Sequence, residues 1–361
     1  MTTRRHFLAG LAAATLTPVR GWSAAGAPDF LAAGLFPDGF YRLAGLDAGG
    51  TILFSLPLPG RGHAAAAHPH RTLAVAFARR PGTFAQVIDC TSGTVTRQLH
   101  APEGRHFYGH GVFTADGDQF FTTENDYEAG TGVIGVWDTA TFTRIGEFSS
   151  GGIGPHDMRL MPDGDTLVIA NGGIETHPDT GRSKLNIPTM QPRLTYLDLS
   201  GAVLEHVELP QALHKNSIRH LAVRADGLVG FAMQWQGDLT EHPPLLGLHR
   251  RGEAPRLLTA PEADQSTLQG YAGSIAFAAG GDAIAITCPR GDALHLFDVD
   301  RGTLIAAHAL TDVCGLGTGP DGLIFTTGTG QFGTAQGRRA KTLSALDCQW
   351  DNHLIPIRAF G

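Results

Sequence analysis

A short motif recurs along this chain about every 47 residues, and that period constrains the fold more than any other feature. Residues 62–69 read Gly-His-Ala-Ala-Ala-Ala-His-Pro and precede an apolar run from Leu73 to Phe77. Residues 109–117 read Gly-His-Gly-Val-Phe-Thr-Ala-Asp-Gly and precede Phe120 to Thr123. Pro155-His156-Asp157-Met158 leads through Asp163-Gly164 to Leu167 and Ala170, and Arg219-His220-Leu221-Ala222 leads through Asp226-Gly227 to Leu228 and Met233. Gly273 to Gly281 and Cys314 to Gly322 share the shape without the histidine, which lies 47, 46 and 64 residues from its predecessor in the other units. Each unit reads as a strand, an Asp-Gly-type turn and a second strand. A variable loop follows, then a third strand ending in Asp (Asp89, Asp138, Asp198, Asp298, Asp347) and a fourth strand such as Thr94 to Leu99. Four short antiparallel strands per repeat of this length are the pattern of a propeller blade. The chain is therefore expected to be all-β, a seven-bladed β-propeller with four-stranded antiparallel blades. The segment from Phe30 to Leu58 has the strands for the seventh unit, and Asp351 to Ile357 is expected to close the ring as the outer strand of the last one. A helical reading fails because 48 Gly and 21 Pro interrupt every long window.

The N-terminus follows a different rule. Thr3-Arg4-Arg5-His6-Phe7-Leu8, an apolar alanine-rich run to Leu16 and the small residues Ser23-Ala24-Ala25 resemble a twin-arginine export signal over residues 1–25. A single propeller domain is then expected over 26–361, in the periplasm, having crossed the membrane already folded. Removing the leader leaves 336 residues, or 48 for each of seven blades. No later stretch is apolar enough to span a bilayer, so no membrane span is expected once the signal is gone. The formal charge of −7 becomes −10 without Arg4, Arg5 and Arg20, which favours cationic ligands at long range and argues against nucleic acid as a partner.

In a propeller the first strand of each blade lines the central channel, so His63, His110, His156 and His220 are expected to converge on one mouth of it. Converging imidazoles suit iron, copper, zinc or nickel. His156 sits one residue out of register with the other three, a slip that reverses a side chain unless the Gly154-Pro155 step before it carries a bulge. The long loop from Asn171 to Arg193 is expected to fold across the mouth as a lid bearing Glu175, His177, Arg182 and Lys184. Glu124 and Gln234 occupy the matching loops of the second and fourth units, Glu124 as a carboxylate to ligate a metal or orient an imidazole near His110. His68, His70, His100, His249, His295 and His308 fall in turns or outer strands, where solvation is the default. Cys288 and Cys314 are expected on this same face of adjacent blades, close enough for a disulfide to be one reading. There is no CxxCH haem-attachment motif, and no HExxH, GxSxG or Walker motif.

The leader, Gly109-His110-Gly111-Val112-Phe113, Gly154-Pro155-His156-Asp157-Met158, the Asn-Gly-Gly-Ile-Glu-Thr-His-Pro loop ending Lys184-Leu185-Asn186, and Ser217-Ile218-Arg219-His220-Leu221-Ala222 together resemble an uncharacterised family of exported bacterial proteins of about 360 residues. Members of that family are often encoded beside imelysin-like iron-regulated and di-haem peroxidase-like proteins. The resemblance implies a role in iron acquisition or handling, with imelysin-like or haem-containing periplasmic proteins as partners, and it assigns no catalytic residue. The expected function is transition-metal binding, iron or copper, at the histidine-lined mouth. Two alternatives stand beside it: a protein-interaction scaffold whose hub histidines are structural, and a lactonase-like hydrolase or metal-dependent oxidase.

Overall fold

The computed structural model describes residues 21–79, 84–181 and 183–357. The expected leader lies outside the described residues up to residue 20, as does Arg182. Among the described residues no helix is long and apolar enough to cross a membrane. Seven four-stranded antiparallel sheets form the ring. The first blade runs from Gly62–Ala67 to Thr94–His100, the second from Arg105–Phe113 to Thr143–Ser149, and the third from Pro155–Leu160 to Val203–Glu208. The fourth runs from Asn216–Val223 to Arg256–Leu258, the fifth from Ser274–Phe277 to Leu304–Ala309, and the sixth from Val313–Gly319 to Arg339–Ala345. The seven-bladed reading of the repeat is thus the observed architecture.

The repeat motif has a local cause at each step. The Asp-Gly turns between first and second strands place Gly117, Gly164 and Gly227 at φ between 78 and 85°, in left-handed backbone that only glycine adopts without cost. The aspartates that end third strands accept backbone N–H bonds from the turns that follow. Asp89 takes Thr91 at 2.8 Å, Asp138 takes Thr141 at 2.9 Å, Asp198 takes Ser200 at 2.9 Å and Asp298 takes Arg301 at 2.8 Å. These acids shape turns and lie away from the channel.

Seven apolar clusters of described residues fill the seven interfaces between neighbouring blades. Val75 and Phe77 of the first blade, for example, pack on Phe107, Phe120 and Trp137 of the second. A blade therefore buries both faces, and only the closed ring satisfies every blade. That double burial also corrects the expectation for three histidines. His68, His249 and His295 are 3%, 2% and 0% exposed, because turns and third strands here lie under a neighbouring blade.

Closure differs from expectation in a way that matters for function. The sixth blade completes its four strands within Val313–Ala345, with Gln331–Gln336 as its third strand, so Asp347 falls beyond the fourth strand. The C-terminal strand Gln349–Pro356 then pairs with Phe30–Leu35, ahead of Tyr41–Leu46 and Ile52–Pro57. It is the innermost strand of the closing blade, and lines the channel instead of the rim. Residues just before the expected leader boundary also belong to this packing. Trp22 is 8% exposed, and its indole N–H donates to the His68 carbonyl at 2.9 Å.

Candidate metal centre

Six of the seven innermost strands break register near the same end of the channel. Pairing jumps between Gly62 and Ala65, between Phe107 and Gly111, between Pro155 and Asp157, between Ile218 and His220, and between Val313 and Leu316. In the closing blade it jumps from Leu354 to Trp350 across Ala32 and Gly34. A bulge re-aims the residue it contains. His156 is the extra residue between Pro155 and Asp157, which resolves its one-residue slip. Gly109 sits at φ +100°, and a Cβ there would lie 2.5 Å from His63 Cδ2, so this glycine makes room for the neighbouring ring.

The result is a cluster of five imidazoles from five blades. His63, His110, His156 and His220 come together with His353, which the expected outer-strand position had put out of consideration. Each of two sets, His63/His110/His353 and His110/His156/His220, places its ligand nitrogens within 4.8 Å of one another. His63 and His353 rings lie 4.6 Å apart by centroid, His110 and His353 4.7 Å, and His156 and His220 4.9 Å. His63 Nε2 and His110 Nε2 are 3.2 Å apart. Two nitrogens each about 2.0–2.1 Å from one tetrahedral ion stand about 3.3 Å apart, so this pair already has the spacing of shared ligands.

His63, His110, His220 and His353 are 8%, 3%, 3% and 4% exposed. Burial, reinforced by neighbouring imidazoles and arginines, pushes the His63, His156 and His353 rings well below the ordinary histidine range, and pushes His220 down to about 3. Neutral imidazole is the ligating form. Asp157 supplies the orientation: its Oδ1 stands 3.1 Å from His110 Nδ1, while its Oδ2 accepts the Leu221 N–H at 2.9 Å and Arg159 at 3.2 Å. Burial works against this carboxylate's charge, but Arg159 and His110 outweigh it and hold its pKa low. A carboxylate at Nδ1–H leaves Nε2 of His110 as the lone-pair donor facing the cluster. Asp157 is adjacent to a predicted ligand in sequence, yet nothing in the repeat singled it out.

His63 Nδ1, His220 Nδ1 and His353 Nε2 are buried with no hydrogen-bond partner among the described residues. Leaving a buried polar atom unpaired costs about 1–3 kcal/mol, so the donor set fits a bound ion better than it fits a self-contained network. On one side of the cluster lies a vestibule of about 320 Å³ reached by His63, His156 and His220; on the other, a channel of about 300 Å³ with apolar walls from Leu160, Leu221, Ile275 and Leu316 meets His220 and His353.

The remaining candidates separate. Lys184 and Gln234 line the vestibule, together with Ile174 and Thr176 of the long loop. His177 points elsewhere, 3.6 Å from Glu128 and edge-on to Tyr127. Glu124 is fully buried within the second blade, where Arg144 binds both its oxygens at 2.7 and 3.0 Å; it does not meet His110. Arg182 falls outside the described residues. All four cysteines are free, and burial raises the Cys288 and Cys314 thiols to about 11 and 12, which keeps both protonated at neutral pH.

A family model matches residues 56–357, most of the chain and all but one of its innermost-to-outermost blades in full. The chain belongs to the DUF1513 family. That family is described as proteins of unknown function, so membership carries no activity. No curated protein matches the chain. Among solved structures, hydrazine synthase of Kuenenia stuttgartiensis is similar at a TM-score of 0.59 and 16% identity, over 87% of this chain and 95% of that one. Likeness at this identity is a likeness of fold alone.

Proposed function

We propose that this DUF1513 protein is an exported, periplasmic propeller that binds a transition-metal ion, iron or copper, at the hub histidines His63, His110, His156, His220 and His353. The observation that carries the reading is the convergence of five imidazoles from five blades, four buried and His156 half-buried, at ligand spacing. The chain's own residues prepare the site in three ways. The blades desolvate the rings and so keep them neutral. Asp157 fixes the tautomer of His110. The bulges aim side chains that lie far apart in sequence at one point. A nitrogen-rich set of this kind suits borderline cations, and bound iron or copper would supply redox exchange or Lewis acidity. The narrower reading, iron acquisition or handling beside imelysin-like or haem-containing partners, is supported by the sequence resemblance and by the twin-arginine pattern of the leader.

The test is elemental analysis of protein exported through its own signal, beside a His110→Ala/His353→Ala variant. Near-stoichiometric iron or copper in the parent and its loss in the variant are expected. No metal in either, even after anaerobic loading with iron(II) or copper(I), sinks the reading and leaves the docking scaffold.

A further inference from the structure

The chain is acidic overall, at a formal −7, yet among the described residues the charged side chains lining the vestibule above the histidines are all cations: Arg79, Lys184, Arg219 and Arg290. They come from the first blade, the long loop of the third, and the fourth and fifth blades. Asp351 takes up part of the Arg79 charge at 2.9 Å from behind. Lys184 donates to the amide oxygen of Gln236, and Arg290 lies over the Tyr271 ring at 4.4 Å, both neutral contacts. Arg219 leans on the His156 ring, with Nη1 3.4 Å from Nδ1. Burial and the charges of Arg219 and Arg290 all lower the Lys184 pKa, which shows how closely these cations are gathered. Gathering like charges is unfavourable unless something negative joins them. A second observation points the same way. Thr176, 5% exposed, carries a buried hydroxyl on the wall of this vestibule with no hydrogen-bond partner among the described residues.

Size selects the kind of anion. The vestibule, about 320 Å³, has room for an anion larger than one tetrahedral oxyanion. Its walls mix cations with the Tyr108 and Tyr271 rings, Ile174, and the amides of Gln234 and Asn352. Guanidinium groups bind carboxylates bidentately, and the amides and hydroxyl suit a carbon skeleton bearing hydroxyl groups. We propose that the vestibule binds a small di- or tricarboxylate, clamped by Lys184, Arg219 and Arg290 over the floor formed by His63, His156 and His220. Its role as a co-ligand or carrier of the metal rests on the proposed function; its binding does not. The local charge at the mouth is opposite in sign to the net charge behind the expectation of cationic ligands.

The test is isothermal titration of citrate into metal-free, full-length protein at low ionic strength, with phosphate as the comparison anion. Citrate is expected to bind one to one. Its affinity should fall about tenfold in Lys184→Gln and in Arg290→Gln, recover in Lys184→Arg and Arg290→Lys, and weaken with added salt. Citrate binding that persists in the metal-deficient His110→Ala variant supports the anion site even if the metal reading fails. Absence of citrate binding at millimolar concentration, equal affinity in the glutamine variants, or tighter binding of phosphate than of citrate overturns the proposal while leaving the metal reading intact.

Discussion

His249 and His63 are both buried histidines of the same propeller, and they solve burial in opposite ways. His249 is 2% exposed, with Tyr196 hydroxyl 2.7 Å from its Nδ1 and the Glu253 carbonyl accepting from its Nε2–H at 2.9 Å. Both nitrogens are satisfied by groups of its own and the adjoining blade, and the ring needs nothing further. His63 is 8% exposed, yet among the described residues its Nδ1 has no partner, and its Nε2 faces another imidazole nitrogen. A histidine retained for structure resembles the first case. Five rings pressed together, three with an orphaned nitrogen, make little sense as packing, since apolar residues would fill the hub at lower cost.

The comparison breaks most visibly in metal affinity. His110 belongs to both ligand sets, so His110→Ala should weaken iron(II) or copper binding by at least about 100-fold, read by competition with a chromophoric chelator, while His249→Ala leaves it unchanged. Asp157→Asn should give an intermediate loss of about 10–100-fold, because it disturbs orientation and not the donor itself. Stability should invert the ranking. Denaturant unfolding of metal-free protein should show His249→Ala costing about 2 kcal/mol, whereas His63→Leu should be neutral within about 0.5 kcal/mol or stabilising. A large loss for His63→Leu would place the hub in the structural class with His249.

The smallest effect is a shift in acid sensitivity. His220 is depressed to about 3, and His63, His156 and His353 lie well below the ordinary value of 6.5. The unfolded chain therefore takes up protons that the folded hub refuses. The stability of metal-free protein should be complete above about pH 6.5 and should decline as pH falls toward 3. His353→Leu should move the acid midpoint down by a few tenths of a pH unit, and bound metal should move it in the same direction.

Individual residues show where sequence reading stops. The sequence pattern put Glu124 in a loop beside His110, but it sits within the second strand of that blade, where Arg144 on the fourth strand of the same sheet binds both its oxygens. His353 carries no repeat motif around it, and its relevance depends wholly on which strand closes the ring. The bulge at His156 was legible from Gly154-Pro155 and the register slip, since both signs are local.

The sequence by itself determined the blade repeat, the number of blades and the four histidines carried on first strands, because strand alternation, Asp-Gly turns and turn-capping aspartates act over a few residues. Tertiary structure alone decided that a C-terminal strand becomes the innermost one, that His353 and Asp157 join the hub, and that cations from four blades gather above it. Those outcomes depend on closing a ring in which every blade needs a neighbour on both faces, a condition that no single repeat can express.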